Sequence, residues 1–346
     1  MGPPYLKDIL EEPGNTHCAD CSDKFPSFVC TKLGALLCKT CAEKGNKVVN
    51  EILEFELPPF YCRPWPGNTC PDFVREAFVH SKYDSLEFTN GARQRGDQSQ
   101  YFCSEKVGIL SKKVKKSLTF VDRKFQLLID RNLFLYFFKA EHDEPKVSVN
   151  LDNMNIFFIN EKEFELPPHT ILVHFSDAGI THFWYLRSTT SKTIVNWFNA
   201  IRYGKYHRIC LNSMTNRDIS SQILSSLSHP TIVTGWLNKT GPKPRAAWRT
   251  RWCVLINRKL FYGEDRHMDE PNGEIFIGHE SDHYAVVLGV HESCKRPAGP
   301  SFTLHTPLRM YALYAMTESE REKWVSAISK VILTPLSLDD YKLNRN

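Results

Sequence analysis

Four cysteines near the N-terminus have the types and the spacing of a metal site. Cys18 and Cys21 form one C-x2-C pair, Cys38 and Cys41 form a second, and sixteen residues separate the pairs. Two such pairs supply four thiolates, a donor set that suits a single tetrahedral Zn²⁺. Four thiolates leave no open position for a reacting water, so we expect one structural zinc ion that supports local folding.

The residues after the fourth cysteine narrow the class of zinc module. A DNA-binding finger needs a basic recognition helix at this point, whereas residues 42–60 are mixed to acidic. Basic residues elsewhere do not follow one helix or sheet face, so nucleic acid is not an expected partner. A treble-clef adaptor finger stays open, although it leaves the flanking residues unexplained.

An internal repeat organises most of the remaining chain. Gly108-Ile-Leu-Ser-Lys112 recurs as Gly235-Trp-Leu-Asn-Lys239, and a tryptophan recurs at Trp197 and Trp324. Each of these pairs is separated by 127 positions. Because this period is far longer than the roughly 20–50 residues of a solenoid repeat, the pattern indicates a duplicated domain.

Each copy begins with short strands and ends in an amphipathic helix. The helices include residues 193–201 and 322–328, and Thr317 with Glu320 forms a capping box before the second. The two tryptophans lie on the apolar helix faces, which favours a place in the core. Many strands followed by one helix predict a small barrel plugged at one end. The predicted strands include 123–129, 132–138, 251–256 and 259–262.

Both copies resemble pleckstrin-homology (PH) domains. That family opens with Gly-x-Leu-x-Lys, continues with a basic-x-Arg-aromatic strand and closes with a helix that carries a core tryptophan. The resemblance covers residues 104–204 and 231–333, and it implies a phosphoinositide site at the open end of each barrel. The residues that it assigns to the headgroup are Lys112, Arg123 and Lys146 in the first copy and Lys239, Arg249, Arg251 and Tyr262 in the second.

The second copy carries the fuller motif. In the first copy Val121 takes the place of the first basic strand residue, and Phe137 stands where Tyr262 supplies a hydroxyl. Asn272 in turn replaces the loop cation Lys146. We therefore expect 3-phosphorylated inositides to bind chiefly to the second copy. Further cations should attract an anionic leaflet by about 1 kcal/mol each. They are Lys113, Lys115, Lys116, Lys243 and Arg245.

The N-terminal residues resemble the GTPase-activating domain that acts on Arf-family small G proteins. The matching segments are Pro13-Gly-Asn15 before the first cysteine pair, Leu33-Gly34 before the second, and Pro58-Pro-Phe-Tyr-x-Arg-Pro64. Residues 73–88 match a later helix of that domain. Together with two PH domains, this arrangement is similar to the dual-PH Arf-GAP (centaurin-alpha) family and implies an Arf-family GTPase as partner.

One departure from that family bears on activity. The family places an arginine five residues beyond the last cysteine, and this position is Asn46 here. About thirty residues, one supersecondary unit, are absent between Cys41 and Pro58. An arginine supplied in trans stabilises the phosphoryl charge during GTP hydrolysis and contributes about 10³–10⁵ in rate. Lys44 and Lys47 lie nearby but lack its planar fork.

We therefore predict a multidomain α+β chain: a truncated four-cysteine Arf-GAP-like module followed by two PH-type β-barrels, each capped by a C-terminal helix. The resemblance implies a family of GTPase activators recruited to membranes by tandem domains for phosphatidylinositol 3,4,5-trisphosphate (PIP3). Such a protein is regulatory and turns over no covalent substrate itself, and without the arginine we expect it to be inactive. The alternatives are a noncatalytic phosphoinositide-binding adaptor and a spliced form of an active protein. The predicted segments are 1–88 (Arf-GAP-like), 89–103 (linker), 104–204 (first PH), 205–230 (linker or short packing helix), 231–333 (second PH) and 334–346 (tail).

Composition sets the compartment that we expect. The chain has 346 residues, a formal net charge of +5 and eleven cysteines, of which seven are scattered outside the two pairs, as in a reducing compartment. The N-terminus lacks an apolar signal sequence, and no apolar run reaches the length of a membrane span. We expect a cytoplasmic protein that is recruited peripherally to the plasma membrane.

Overall fold

A computed structural model describes residues 28–30, 35–37, 51–64, 70–138, 144–212 and 232–336. The chain divides into two compact units. The first contains residues 1–61 and 77–99, and the second contains residues 62–76 and 100–346. The two PH-like copies therefore lie together in one unit.

The first unit includes a short hairpin and a helical segment. Strand β1 (Phe28–Cys30) pairs antiparallel with β2 (Ala35–Leu37). Helix α1 (Asp72–Val79) begins in the residues of the second unit and ends in those of the first. The π-helical turn that continues it (His80–Asp84) and a short helix α2 (Ala92–Arg95) belong to the first unit. Lys82 in the π-helical turn forms a buried ion pair of 2.6 Å with Glu54.

The segment predicted as the first linker is folded. The carboxylate of Glu56 accepts hydrogen bonds from the backbone N–H groups of Gly91 and Arg93, at 2.9 and 2.8 Å. Gln98 is buried and donates to two backbone carbonyls, those of Glu56 and Glu87. Residues 89–99 thus pack through specific hydrogen bonds, which a linker composition does not reveal.

The first PH-like copy forms a seven-stranded antiparallel sheet followed by a long helix. The strand order is β6-β5-β4-β3-β9-β8-β7, and a four-residue helix, α3 (Glu161–Phe164), separates β7 from β8. Helix α4 spans Ser191–Asn212. The strands are β3 (Glu105–Lys113), β4 (Phe120–Leu128), β5 (Leu133–Phe137), β6 (Val147–Asn150), β7 (Met154–Phe158), β8 (Thr170–Asp177) and β9 (Ile180–Arg187).

The second copy repeats this topology. Its strand order, β13-β12-β11-β10-β16-β15-β14, matches the first sheet position by position. Helix α5 (Glu318–Leu333) follows and begins with the predicted capping box of Thr317 and Glu320. The strands are β10 (Ile232–Thr240), β11 (Trp248–Ile256), β12 (Lys259–Gly263), β13 (Gly273–Phe276), β14 (Ala285–Leu288), β15 (Ser301–His305) and β16 (Met310–Tyr314).

The repeated Gly and Trp residues meet in each core. Trp197 and Trp324 are 2% and 1% exposed, which confirms their predicted place in the core. A Cβ atom on Gly108 would lie 3.1 Å from the Trp197 ring, and one on Gly235 would lie 3.3 Å from the Trp324 ring. Glycine at these strand positions lets the indole pack directly on the backbone.

Two predicted strands, 251–256 and 259–262, lie within observed ones. The prediction 123–129 overruns β4 by one residue, and 132–138 overruns β5 by one residue at each end. Both predicted helices are longer in the structure. Helix α4 extends to Asn212, well into the segment 205–230 that was predicted as a linker or a short packing helix. The rest of that segment, residues 213–230, lies outside the described residues. Of the predicted tail, 334–346, the structure describes residues 334–336.

The two PH-like copies share an apolar interface within the second unit. Strand β11 turns Cys253 and Leu255 toward its own core, whereas Trp252, Val254 and Ile256 pack in a different cluster. That cluster includes side chains of the first copy, and the Phe261 ring lies 5.1 Å from the ring of Phe183. Side chains of the first copy in this cluster are Phe157, Ile159, Phe164, Leu166, Leu172, Phe183 and Tyr185.

Candidate phosphoinositide-binding site

The predicted basic residues of the second copy lie on the core-facing side of its sheet. Lys239 pairs directly with Arg249 across β10 and β11, so their side chains share one face. Arg251 and Cys253 follow at steps of two on β11, and Cys253 is fully buried. The cations therefore extend the core-facing row of side chains beyond the apolar core.

Two tyrosines and a further arginine complete this group. The Lys239 ammonium lies 4.5 Å from the ring centroid of Tyr262 and 5.6 Å from that of Tyr311. Arg309, just before β16, holds its guanidinium 4.2 Å from the Tyr311 ring. Burial, together with the positive charges of Arg309 and Arg251, lowers the pKa of Lys239. Cations that repel one another in this way favour a multivalent anion between them.

Arg251 is held in place by contacts that a phosphate could replace. Its guanidinium donates to the Thr250 carbonyl at 3.0 Å and lies 3.4 Å from the Glu264 carboxylate. The Glu264 side chain is 70% exposed, so this ion pair is a weak one. Arg249 is exposed on the strand.

The first copy brings its three predicted cations together around aromatic rings. The Lys112 ammonium lies 4.9 Å from the centroid of the Trp184 ring. Arg123 and Lys146 both approach the Phe138 ring, at 4.8 and 4.9 Å from its centroid. Burial lowers the pKa of Lys112 to about 8, and the charges of Lys146 and Arg123 act in the same direction.

The strand registers change one predicted correspondence between the copies. Tyr136 pairs with Phe125 and Tyr262 pairs with Cys253, in each case two residues after the strand arginine. The backbone N–H of Lys146 donates to the Tyr136 carbonyl at 2.7 Å, as that of Asn272 donates to the Tyr262 carbonyl at 2.8 Å. The residue equivalent to Tyr262 is therefore Tyr136, and the expectation that Phe137 takes its place was wrong.

A carboxylate of the second copy reaches the site of the first. Lys113, expected to attract a membrane, is 2% exposed and forms an ion pair of 3.0 Å with Asp269. Asp269 also accepts from the backbone N–H of Lys116 at 2.8 Å, and its charge raises the pKa of Lys112 against the effect of burial. Lys115 pairs with Glu270 at 2.8 Å. These contacts offset positive charge beside the first site.

The sequence-based prediction missed Arg309 and two aromatic residues, Trp184 in the first site and Tyr311 in the second. The constant offset of 127 positions was the available signal, since it maps Trp184 onto Tyr311 and Lys112 onto Lys239. The same offset maps His182 onto Arg309, so the first copy has an imidazole where the second has a guanidinium.

Two known families have models that match parts of this chain. The family model of the PH domain matches residues 231–333. The family model described as a putative GTPase activating protein for Arf matches residues 4–44. The second match ends three residues beyond Cys41, where the family pattern was expected to break off.

Curated relatives cover nearly the whole chain. Arf-GAP with dual PH domain-containing protein 2 from Rattus norvegicus is 25% identical over 368 residues, covering 96% of this chain and 94% of the relative. The protein of the same name from Homo sapiens is also 25% identical, with 96% and 93% covered. Over nearly its whole length this chain is similar to the Arf-GAPs that carry dual PH domains. The aligned stretch is longer than the chain itself, so these dual-PH Arf-GAPs contain residues that it lacks.

Shorter similarities cover about a third of this chain. Rho GTPase-activating protein 22 from Mus musculus is 33% identical over 31% of this chain and 16% of its own length. The C-terminal PH domain of pleckstrin, solved with D-myo-Ins(1,2,3,5,6)P5, is 24% identical. The match covers 30% of this chain and 98% of the pleckstrin chain, with a TM-score of 0.25.

The metal-ligand candidates lie outside the described residues, as does Asn46. Cys18, Cys21, Cys38 and Cys41 are all in this group. Between the two cysteine pairs the structure shows the β1–β2 hairpin, in which Phe28 pairs with Leu37, the residue before Cys38. Four thiolates in two C-x2-C pairs fit a structural Zn²⁺ by donor chemistry.

Among the described residues, no helix combines the length and the apolarity that crossing a membrane requires.

Proposed function

We propose that this dual-PH Arf-GAP is a peripheral membrane protein that binds a multiply phosphorylated inositol headgroup, of the PIP3 type, at the second PH domain. The observation that carries the proposal is the group formed by Lys239, Arg251 and Arg309 around Tyr262 and Tyr311. Arg supplies bidentate hydrogen bonds to phosphate, and Lys supplies a compact positive charge. Arg249 lies opposite Lys239 on the neighbouring strand, and we propose that it supports headgroup binding from there.

The first PH domain has the same architecture but a weaker electrostatic case. Lys112, Arg123 and Lys146 converge there, whereas Asp269 places a negative charge nearby. We propose that this domain contributes a second, weaker headgroup contact. Recruitment then depends mainly on the second domain and takes the cytoplasmic protein to membranes rich in the lipid, such as the plasma membrane.

Binding of the full chain to vesicles with and without phosphatidylinositol trisphosphate tests this assignment. Arg251→Ala should abolish most of the lipid-dependent association, because it removes a charge from the centre of the site. Lys330→Ala on the exposed face of α5 is the matched control and should bind as the original chain does. Equal binding by both variants would refute the assignment of the main site.

For the N-terminal segment we propose a zinc-stabilised module that has lost its catalytic arginine. Cys18, Cys21, Cys38 and Cys41 would hold the ion, which supplies folding free energy rather than chemistry. Two facts support this: the family match ends at residue 44, and Asn46 carries no charge. The chain would then act as a noncatalytic, membrane-bound member of a GTPase-activating family whose partner is an Arf-type GTPase.

Hydrolysis of Arf-bound GTP on liposomes that contain the trisphosphorylated lipid separates the adaptor from the activator. If the chain is a noncatalytic adaptor, GTP hydrolysis by Arf should stay close to its intrinsic rate. Hydrolysis far above that rate would exclude the adaptor hypothesis. Zinc content of the purified chain gives an independent readout, and one ion per chain that is lost on Cys38→Ser supports the metal site.

A further inference from the structure

An apolar side chain stands at the apex of the hairpin between β15 and β16. Leu308 is 94% exposed, which makes it the most exposed large apolar side chain in the part of the chain that the structure describes. Met310, two residues further on, is 54% exposed. A single exposed leucine is ordinary on a protein surface, so its surroundings decide whether it has a role.

The turn that presents Leu308 is fixed by hydrogen bonds. The backbone N–H of Thr306 donates to the Arg309 carbonyl at 3.0 Å, and the N–H of Arg309 donates to the Thr306 hydroxyl at 3.2 Å. Pro307 restricts the backbone before Leu308. The leucine is therefore held outward by a rigid turn and cannot fold back onto the sheet at low cost.

This apex lies at the rim of the cationic site of the second PH domain. Arg309 follows Leu308 directly and turns its guanidinium onto Tyr311, whose ring also faces the Lys239 ammonium. An anion that binds between these cations brings the hairpin apex to the surface that carries the anion. An apolar tip bordered by cations complements an anionic bilayer, which has phosphates outside and hydrocarbon beneath.

The equivalent hairpin of the first PH domain lacks this feature. Its apex between β8 and β9 is Ala178-Gly179, with both residues at positive φ, and Asp177 precedes it. Thr181 and His182, further along β9, contact Glu274 and Glu270 of the second domain. Ile180, which follows this turn, is 52% exposed, whereas Leu308 at the apex of the second hairpin is 94% exposed. Because the first turn is small and is preceded by a carboxylate, a fully exposed apolar apex bordered by cations is a feature of the second domain.

We propose that Leu308 inserts into the acyl region of an anionic bilayer when the second PH domain binds its headgroup. The inference rests on the proposed function, because headgroup binding positions the hairpin. Removing a leucine side chain from water raises a partition coefficient by about tenfold to a hundredfold. Insertion should thus strengthen binding to a vesicle without changing the affinity for a soluble headgroup.

Leu308→Ser in the full chain tests the insertion with two measurements. One is partitioning onto phosphatidylcholine–phosphatidylserine vesicles that contain phosphatidylinositol trisphosphate, and the other is calorimetric binding of the soluble inositol tetrakisphosphate headgroup. We expect vesicle partitioning to fall by about tenfold or more and headgroup affinity to stay unchanged. Leu333→Ser is the matched control, since this leucine is 60% exposed at the C-terminal end of α5.

The outcomes separate this inference from the proposed function. Vesicle partitioning of Leu308→Ser equal to that of the original chain would overturn insertion and leave a protein partner as the occupant of the apex. Loss of headgroup affinity in the same variant would also overturn it, by showing that the leucine acts through the site. If the original chain bound neither headgroup nor vesicles, the proposed function itself would fail.

Discussion

The Lys113 ammonium of the first PH domain and the Asp269 carboxylate of the second are 3.0 Å apart, with side chains only 2% and 16% exposed. The pair lies beside the apolar interface formed by Phe183 and Phe261. Two neighbouring contacts, from the Lys116 and Phe183 backbone N–H groups to Asp269, strengthen the same junction. The two PH domains are therefore held together by a buried ion pair as well as by apolar packing.

Truncation of that carboxylate should destabilise the tandem. Asp269→Ala leaves Lys113 buried without its partner, which costs about 3–5 kcal/mol. Glu270→Ala is the matched control, because its partner Lys115 is 57% exposed and such pairs contribute about 1 kcal/mol or less. Urea unfolding of the two variants measures the difference. Equal midpoints would show that the Lys113 pair is hydrated in solution.

Arg309 should contribute to headgroup affinity as strongly as the residues that the sequence motif indicates. Removing a charge-assisted hydrogen bond to phosphate costs about 1.5–3 kcal/mol, so Arg309→Ala should weaken soluble headgroup binding by about tenfold to a hundredfold. Arg309→Lys should recover only part of this, since Lys lacks the bidentate fork. Arg296→Ala in an exposed loop is the control. Calorimetry that gives the same affinity for Arg309→Ala and the control would remove Arg309 from the site.

The sequence predicted what depends on short-range pattern. The duplication, the core tryptophans and the capping box of Thr317 all follow from the spacing of residues along the sequence, and the structure contains them. The correspondence of Tyr136 with Tyr262 needed the strand registers, because a one-residue shift moves a side chain to the other face. Lys113 and Asp269 are 156 positions apart, and no local pattern signals that the end of β3 packs against the loop between β12 and β13.

The first PH domain should lose headgroup affinity in mild alkali. Burial lowers the pKa of Lys112 to about 8, so above pH 8 the free protein loses the charge that a phosphate would bind. Affinity should then fall by up to about tenfold per pH unit, because the bound anion favours the protonated lysine. Binding is measured in an Arg251→Ala background, which leaves the first site as the reporter.

Lys112→Arg supplies the control for this profile. The guanidinium stays charged throughout the alkaline range. The affinity of this variant should therefore be nearly independent of pH between about 7.5 and about 9.5, a range that brackets the lysine pKa of about 8. An alkaline decline of the same size in both variants would assign the effect to another group.

His174 should make the interface of the two PH domains sensitive to acid. The imidazole is 6% exposed, packs against Phe183 and Phe261, and has no hydrogen-bond partner for either ring nitrogen among the described residues. Burial lowers its pKa from 6.5 to about 4. The folded chain therefore keeps the ring neutral, whereas the unfolded chain takes up a proton below pH 6.5.

Stability from this neutral ring is fully present above pH 6.5 and is lost as the pH falls toward 4. The slope is at most about 1.4 kcal/mol per pH unit, because the unfolded state binds one more proton than the folded state. His174→Phe keeps an aromatic ring in the cluster and removes the proton, so its unfolding free energy should exceed that of the original chain increasingly as the pH falls from 6.5 to 4.5. Urea unfolding across this range provides the measurement. A constant difference between the two chains would show that His174 does not titrate on unfolding, and any acid sensitivity would then belong to other groups.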